Sequence, residues 1–256
     1  MKIVTWNVNS IRVRLPNVTR WLNNHQPDVV LLQELKCLNE AFPRQELEDL
    51  GYNVAVHGQK TYNGVAILSK SPIEDITYGL PNFSEDLQAR YIEAVVGKVR
   101  VASVYIPNGQ EVGSPAYVYK MAFLGKLHSH LQHLLTYDEA CVIGGDYNIA
   151  PTDQDVYDAG VWADKVLCSK PERKAFQALC HLGYQDAVRL RHPGVGPFTW
   201  WDYRAGAFLA NKGLRIDHLL LSPLATDRLQ DCGVDAAPRA DEKASDHAPV
   251  WCTLNV

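Results

Sequence analysis

The stretch ACVIGGDYNIAP, Ala140–Pro151, decides how the chain is read. Its first four residues form an apolar run of the kind that makes a short buried strand. Gly144 and Gly145 then permit close backbone approach, and Asp146 and Asn148 emerge two residues apart, which on an extended segment directs both side chains to the same side. An acid and a neutral amide so placed can deprotonate a water and hold an oxyanion without adding a second negative charge. The amino-terminal TWNVN echoes the pattern: the run Lys2–Trp6 ends at Asn7, so two strands each hand over to an amide at a rigid edge where loops carry chemistry.

Further short runs rich in Val, Ile and Leu predict strands at Asp28–Leu32, Gly64–Leu68, Tyr91–Val96, Arg100–Tyr105, Arg215–Leu221 and Ala248–Leu254. Between them lie amphipathic helices. One begins after Ser114 with Pro115 in its first turn and carries the stripe Met121, Leu124, Leu127, Leu131 and Leu134. Another is announced by Ser169 and Glu172 at capping-box spacing, turns Phe176, Leu179 and Cys180 inward and stops at Gly183. Strands in number with helices at intervals predict two packed sheets covered by helices. No low-complexity linker or solenoid repeat divides the chain, and residues 1–256 read as one domain.

With 256 residues, 46% of them hydrophobic, the chain can bury one large core. The opening MKIVTWNVNS lacks the apolar length of an export signal, and no stretch approaches the ~18 apolar residues of a membrane span. Six scattered cysteines without CxxC or His spacing predict neither zinc site nor disulfide scaffold, which points to a reducing cytoplasm. The net charge of −4 argues against holding nucleic acid by bulk electrostatics. A local basic face remains possible from Arg12, Arg14, Arg20, Arg189, Arg191, Arg204, Lys212 and Arg215.

Glu34 follows the run VVLLQ, and a carboxylate at the mouth of a buried strand has to be solvated, paired or metal-bound. Near the carboxyl terminus SDHAPV places Asp246 and His247 before a buried strand, and RIDHLLLS supplies Asp217. A carboxylate and an imidazole from separate strands can pair, which fixes the tautomer and favours an imidazolium suited to phosphate. His218, inside the same strand as Asp217, reads as a satisfied core residue. Glu34 and Asp246 are hard oxygen donors that match Mg²⁺, with Mn²⁺ as a substitute, and such an ion with hydrogen-bond donors offsets what makes phosphodiesters resistant.

The segments TWNVNSIR, LLQELK, QKTYNGVAILSK, SVYIPNG, GGDYNIAP, ERKAF, HPGVGPFTWWDYR, GLRIDHLLLS and SDHAPVW resemble, in order and over nearly the whole chain, the exonuclease III family of endonuclease/exonuclease/phosphatase enzymes. The resemblance implies an α+β fold, a four-layer α/β/β/α sandwich like that of deoxyribonuclease I, and a magnesium-dependent DNA-repair phosphodiesterase acting on double-stranded DNA with abasic sites or blocked or recessed 3′ ends. It assigns Asn7, Glu34 and Asp246 to the metal environment, with Asp146, Asn148 and His247 as ligands in some metal positions. It makes Asp146 the general base, Asn148 the residue that orients the water or stabilises the transition state, Tyr105 a donor to the scissile phosphate, and Asp217 the residue that orients His247. Asn9, Arg12, Lys36, Tyr62 and Asn108 are implied backbone contacts, and Trp200, Leu214 and Ile216 the walls of a pocket that receives a flipped abasic sugar. Of Trp200 and Trp201, one is expected to be core.

One departure stands out. Ahead of CSKPER, where the family's abasic-site endonucleases usually carry a small residue, this chain has Leu167, whose bulk predicts 3′-end processing in excess of abasic incision. The alternatives are enzymes of the same fold acting on inositol phosphates, sphingomyelin or poly(A), and a non-catalytic nucleic-acid-binding relative. WWDYR and GLRIDH favour the DNA branch, and every catalytic position is chemically competent.

Overall fold

Strands that are apolar on both faces have to be covered on both sides, and the computed structural model, which describes residues 1–256, meets that demand with four layers. In chain order the strands are β1 (Lys2–Asn7), β2 (Val29–Gln33), β3 (Asn53–His57), β4 (Val65–Ser69), β5 (Glu74–Tyr78), β6 (Tyr91–Val96), β7 (Val99–Tyr105), β8 (Ala140–Asp146), β9 (Gln185–Asp186), β10 (Asp217–Leu221), β11 (Leu229–Val234) and β12 (Val250–Leu254). The helices are α1 (Ile11–His25), α2 (Arg44–Glu48), α3 (Pro115–Leu134), α4 (Ala159–Trp162), α5 (Lys170–His181), α6 (Ala187–Arg191) and α7 (Pro223–Asp227).

One sheet has the order β11-β12-β1-β2-β4-β3 and the other β5-β6-β7-β8-β10-β9. At the centre of each lies a parallel pair, β1/β2 and β7/β8, and every other pairing is antiparallel. Residues alternate between faces. Ile3, Val29, Leu31 and Ile67 meet Ile92, Val101, Val142 and Leu219 between the sheets. Val4, Trp6, Val30 and Leu32 turn outward onto Val18, Trp21 and Leu22 of α1. Val104, Cys141 and Ile143 turn outward onto Phe123, Leu127 and Leu131 of α3 and Phe176 and Leu179 of α5. No helix is long and apolar enough to cross a membrane.

The helix starts follow the sequence. Ser114 accepts from the Tyr117 N–H at 3.2 Å, and Ser169 and Glu172 form the reciprocal capping box. On α3, however, Met121 is only half-buried, and Lys120 takes a fully buried place beside the leucines.

The strand predicted at Ala140–Ile143 runs three residues further, because both glycines stay in the ladder. A Cβ on Gly144 would lie 2.7 Å from Leu31 Cδ1 in the facing sheet, and one on Gly145 would lie 1.9 Å from Val104 O. The close approach that these glycines permit is therefore to the neighbouring sheet and strand. Of the eight cations offered for a local basic face, four are ion-paired. Arg215 is 1% exposed, with Asp155 at 2.7 Å and Asp186 at 2.6 Å. Arg189 also pairs with Asp155, Arg20 with Asp241 and Arg204 with Asp202. Asp155, Asp186 and Asp241 come from distant parts of the sequence and Asp202 from two residues before Arg204, while Arg12 stays exposed without a carboxylate partner.

Candidate active site

The two parallel pairs carry four strand ends to one edge of the sandwich. Asn7 closes β1, Glu34 follows β2, Tyr105 closes β7 and Asp146 closes β8. Asp217 opens β10 directly opposite Asp146. The segment before β12 is pinned to β1: the Trp6 indole donates to His247 O at 3.1 Å, and the Ser245 hydroxyl to Asn7 O at 2.7 Å. Beneath this edge, Gln33 donates across the sheet interface to Ser103 Oγ at 2.9 Å and, within its own sheet, to Thr5 Oγ1 at 3.0 Å, a buried polar tie between the two sheets under the site.

Asn7 Nδ2 donates to Glu34 Oε1 and to Asp146 Oδ2, both at 2.9 Å. The Tyr105 hydroxyl donates to Glu34 Oε1 at 2.9 Å, and Lys36 Nζ lies 2.8 Å from Glu34 Oε2. The Asn148 N–H donates to Asp146 Oδ1 at 2.9 Å and its Nδ2 to Ile106 O at 3.0 Å, while Asn108 Nδ2 donates to Asn148 Oδ1 at 3.1 Å. His247 stands between two carboxylates: Nδ1 is 2.9 Å from Asp217 Oδ2, and Nε2 is 3.7 Å from Asp146 Oδ2. Thr199 Oγ1 donates to Asp217 Oδ2 at 2.6 Å.

Charges follow from these contacts. Burial alone would push Glu34 up, but Lys36 and the Asn7 amide hold it below its ordinary value. Burial pushes Asp146 up, with His247 opposing and the negative Asp217 and Glu34 adding to the rise. Burial works against a charged His247, yet Asp217 and Asp146 outweigh it and favour the imidazolium. Burial and the Glu34 carboxylate keep Tyr105 protonated, so its hydroxyl remains a donor.

Ligand atoms of Glu34, Asp146 and His247 lie within 4.8 Å of one another. Two hard carboxylates converging there fit a small divalent cation of the oxygen-loving kind. Asp246 lies outside that trio: its oxygens accept from Asn9 Nδ2 and Trp200 Nε1, both at 2.9 Å, and each keeps a further lone pair. Asn7 directs its amide N–H groups, not its carbonyl, at the carboxylates, because Asn7 Oδ1 accepts the Asn9 N–H at 3.0 Å.

The expected substrate contacts fall around this centre. Arg12 and Lys36 border one depression of about 460 Å³ together with Lys60. Tyr62 and Asn108 border another of about 670 Å³ with Arg90 and Tyr105. Lys36 also holds Asn9 Oδ1, at 2.5 Å. Leu214 and Ile216 are 0% and 2% exposed, because Leu167 packs over them with Ala150 and Val156. Leu167 does so at φ +74°, a backbone conformation that favours glycine. Trp200 is half-exposed at the rim of this cluster, and Trp201 is core. His218 is buried and satisfied by Ile149 O and Arg215. Sequence reading missed Thr199 and also Arg90, whose guanidinium lies 4.8 Å from the Tyr105 ring centre. Neither carries a local signal, since both act on residues at least 15 positions away.

Residues 4–247 match the Endonuclease/Exonuclease/phosphatase family, and the chain belongs to it. It is 38% identical to exodeoxyribonuclease III of Haemophilus influenzae, over 98% of each chain. It superposes on the 3′ phosphatase NExo from Neisseria bound to product DNA hairpin with a TM-score of 0.98 and 44% identity, all of both chains being covered. The same full coverage holds for an AP endonuclease from Archaeoglobus fulgidus, with a TM-score of 0.96 and 36% identity. The fold is thus the deoxyribonuclease-I-like sandwich, and the protein is a hydrolytic nuclease of the exodeoxyribonuclease III type.

Proposed function

We propose that the protein is a magnesium-dependent phosphodiesterase of DNA repair that processes 3′ ends of double-stranded DNA, as 3′–5′ exonuclease and 3′-phosphatase or phosphodiesterase, in excess of incision at internal abasic sites. The observation that carries this reading is the convergence of Glu34, Asp146 and His247 at the ends of the two central strand pairs. Leu167, packed over Leu214 and Ile216, supports the preference for a frayed 3′ end over a flipped abasic sugar. A monomer, folded as one domain, in the reducing cytoplasm is the proposed setting, consistent with six free thiols.

In this reading Asp146 takes the proton of the attacking water, and the Asn148 amide beside it orients that water and donates to the charge that develops on phosphorus oxygens. Tyr105 donates its hydroxyl to the scissile phosphate. His247, oriented by Asp217, presents an imidazolium to a phosphate oxygen. Glu34 and Asp146 would hold Mg²⁺ or Mn²⁺, with Asn7, Asn148 and Asp246 available to other metal positions and His247 only where its imidazole is neutral; when bound, the ion neutralises phosphoryl charge and the leaving alkoxide. Asn9, Arg12, Lys36, Tyr62 and Asn108 would track the backbone.

A second reading, incision at abasic sites, draws support from the AP endonuclease likeness and from the half-exposed Trp200 at the rim. One experiment separates the two. The protein and its Asp146→Ala variant are incubated, with magnesium or with chelator, on a duplex bearing a central abasic analogue and on one with a recessed 3′-phosphate. Magnesium-dependent release of the 3′-phosphate, with slow abasic incision and an inactive variant, is the expected result. Faster incision than dephosphorylation moves the assignment to the second reading, and no turnover on either duplex refutes both.

A further inference from the structure

Lys120 occupies a place on α3 where the apolar stripe would accept a hydrophobic residue, and it is 0% exposed. An ammonium group has three donors to satisfy. Here each has an acceptor: Asn148 O at 2.6 Å, Asn108 O at 3.1 Å and Glu172 Oε1 at 2.5 Å. The two carbonyls belong to the residues whose side-chain amides meet in the site. Asn148 lies beyond the end of β8 at φ +50°, so no ladder partner holds its carbonyl.

Glu172 is likewise 0% exposed. Its Oε1 also accepts the Leu167 N–H at 3.0 Å, and its Oε2 accepts from Ser169 N at 3.1 Å and Ser169 Oγ at 2.5 Å. Leu167 O in turn accepts the Ala150 N–H at 2.8 Å. One buried ion pair therefore joins three loops: those carrying Asn108, Asn148 and Leu167. For stability alone such a pair has little advantage, since apolar replacements of buried ion pairs are often neutral. What an apolar pair cannot do is fix two carbonyl positions.

We infer that Lys120 and Glu172 are a positioning pair for the phosphodiester reaction, setting the Asn148 amide, and Asn108 beside it, at the reacting phosphate. The inference rests on the proposed function. Neither residue touches substrate, so the pair acts through Asn148. Displacing a positioned group by ~1 Å can cost up to ~100-fold in rate.

The test is a double-mutant cycle on the 3′-phosphate duplex with magnesium, in single turnover with enzyme in excess. Lys120→Met is made in the parent and in an Asn148→Ala background, with rates corrected for folded fraction by circular dichroism. The expected result is a loss of at least ~10-fold in the catalytic rate in the parent, with substrate affinity within ~2-fold, and no further loss in the Asn148→Ala background. Equal fold-losses in both backgrounds, or none in the parent, overturn the inference. Should Lys120→Met fold poorly, Lys120→Met combined with Glu172→Gln removes both charges and keeps a capping residue. Parent-like stability with a depressed rate then supports positioning, and parent-like rate overturns it. A parent without magnesium-dependent turnover refutes the functional reading and this inference with it, whereas an active parent with additive losses refutes the inference alone.

Discussion

Replacing Leu167 by glycine should both destabilise the protein and change what it cuts. The side chain is 5% exposed, so four carbons leave a packed cluster. At ~0.8 kcal/mol per buried methylene the transfer cost is ~3 kcal/mol, and the cavity left behind brings buried leucine truncations to ~3–5 kcal/mol. Against this, glycine relieves the strain of φ +74°, worth ~1 kcal/mol. The net loss is ~2–4 kcal/mol, a fall in Tm on the order of 5–15 °C for a chain of this size. The backbone bonds of residue 167 to Glu172 and Ala150 are independent of its side chain and keep the loop in place. The freed space lies against Leu214, Ile216 and Trp200, where an abasic sugar would sit. Abasic incision should therefore rise ~10-fold or more relative to 3′-phosphate release, assayed on paired duplexes at a temperature well below both melting points. Leu167→Ala is the control: it opens nearly the same space but keeps a Cβ at positive φ, so it should be ~1 kcal/mol less stable than the glycine variant. A glycine variant that dephosphorylates normally and incises no better than its parent refutes the pocket argument. An alanine variant as stable as the glycine one refutes the strain argument.

Asp217→Asn should lower the rate of the chemical step by ~10²–10⁴-fold with little change in substrate affinity, because an amide beside His247 Nδ1 no longer favours the imidazolium and its tautomer; a loss under threefold in single-turnover assays would count against the assigned role. Arg215→Met leaves Asp155 and Asp186 buried beside each other without their shared cation and should cost ~3–5 kcal/mol in urea unfolding. In the parent, burial pushes Asp155 and Asp186 up, but Arg215, joined by Arg189 and Thr152 at Asp155 and by His218 at Asp186, more than offsets it and holds both below the usual carboxylate range. Their contribution to stability is then complete above pH ~4, where unfolded carboxylates are ionised, and is lost as pH falls through the folded-state values. Urea midpoints across that range should drop in the parent, and Asp155→Asn should flatten the drop; an equal slope in both would show that this cluster is not its source.

Much of the architecture was legible because the strands are buried on both faces. Runs such as VVLL and ACVI have no polar side to offer, so covering layers were required on each side. The site was legible where chemistry and position coincide along the chain, as in Asp146 with Asn148 after a strand, or Asp217 and His247 on strands that could meet. What was not legible is what lies across from what. Arg215 reads as a surface cation until Asp155, 60 residues away, is folded onto it. Gly144 reads as permitting a close approach to something unnamed until the facing sheet brings Leu31 against it. Lys120 stood in plain view inside an apolar stripe, where an unexplained charge is the signal for a buried partner.

The charges at the strand ends bear on how an acidic protein handles a polyanion. Glu34, Asp146, Asp217 and Asp246 face two cations, Lys36 and the His247 imidazolium, within one hydrogen-bonded group. Ionised, these residues leave two negative charges uncompensated, which repel a phosphate diester at the point where it must be attacked. A divalent cation cancels that excess, whereas a monovalent one halves it. The proposed metal requirement is thus a condition on substrate approach as well as on chemistry, and chelation should weaken binding of a 3′-phosphate duplex even to a variant that cannot turn it over. Because few free cations border the site, chiefly Arg12, Lys60 and Arg90, only a few phosphates are neutralised by the protein, and affinity should fall with salt with a shallow slope of about two to three on logarithmic axes. A slope near ten would mean many more phosphate contacts than these three cations provide and would refute the argument.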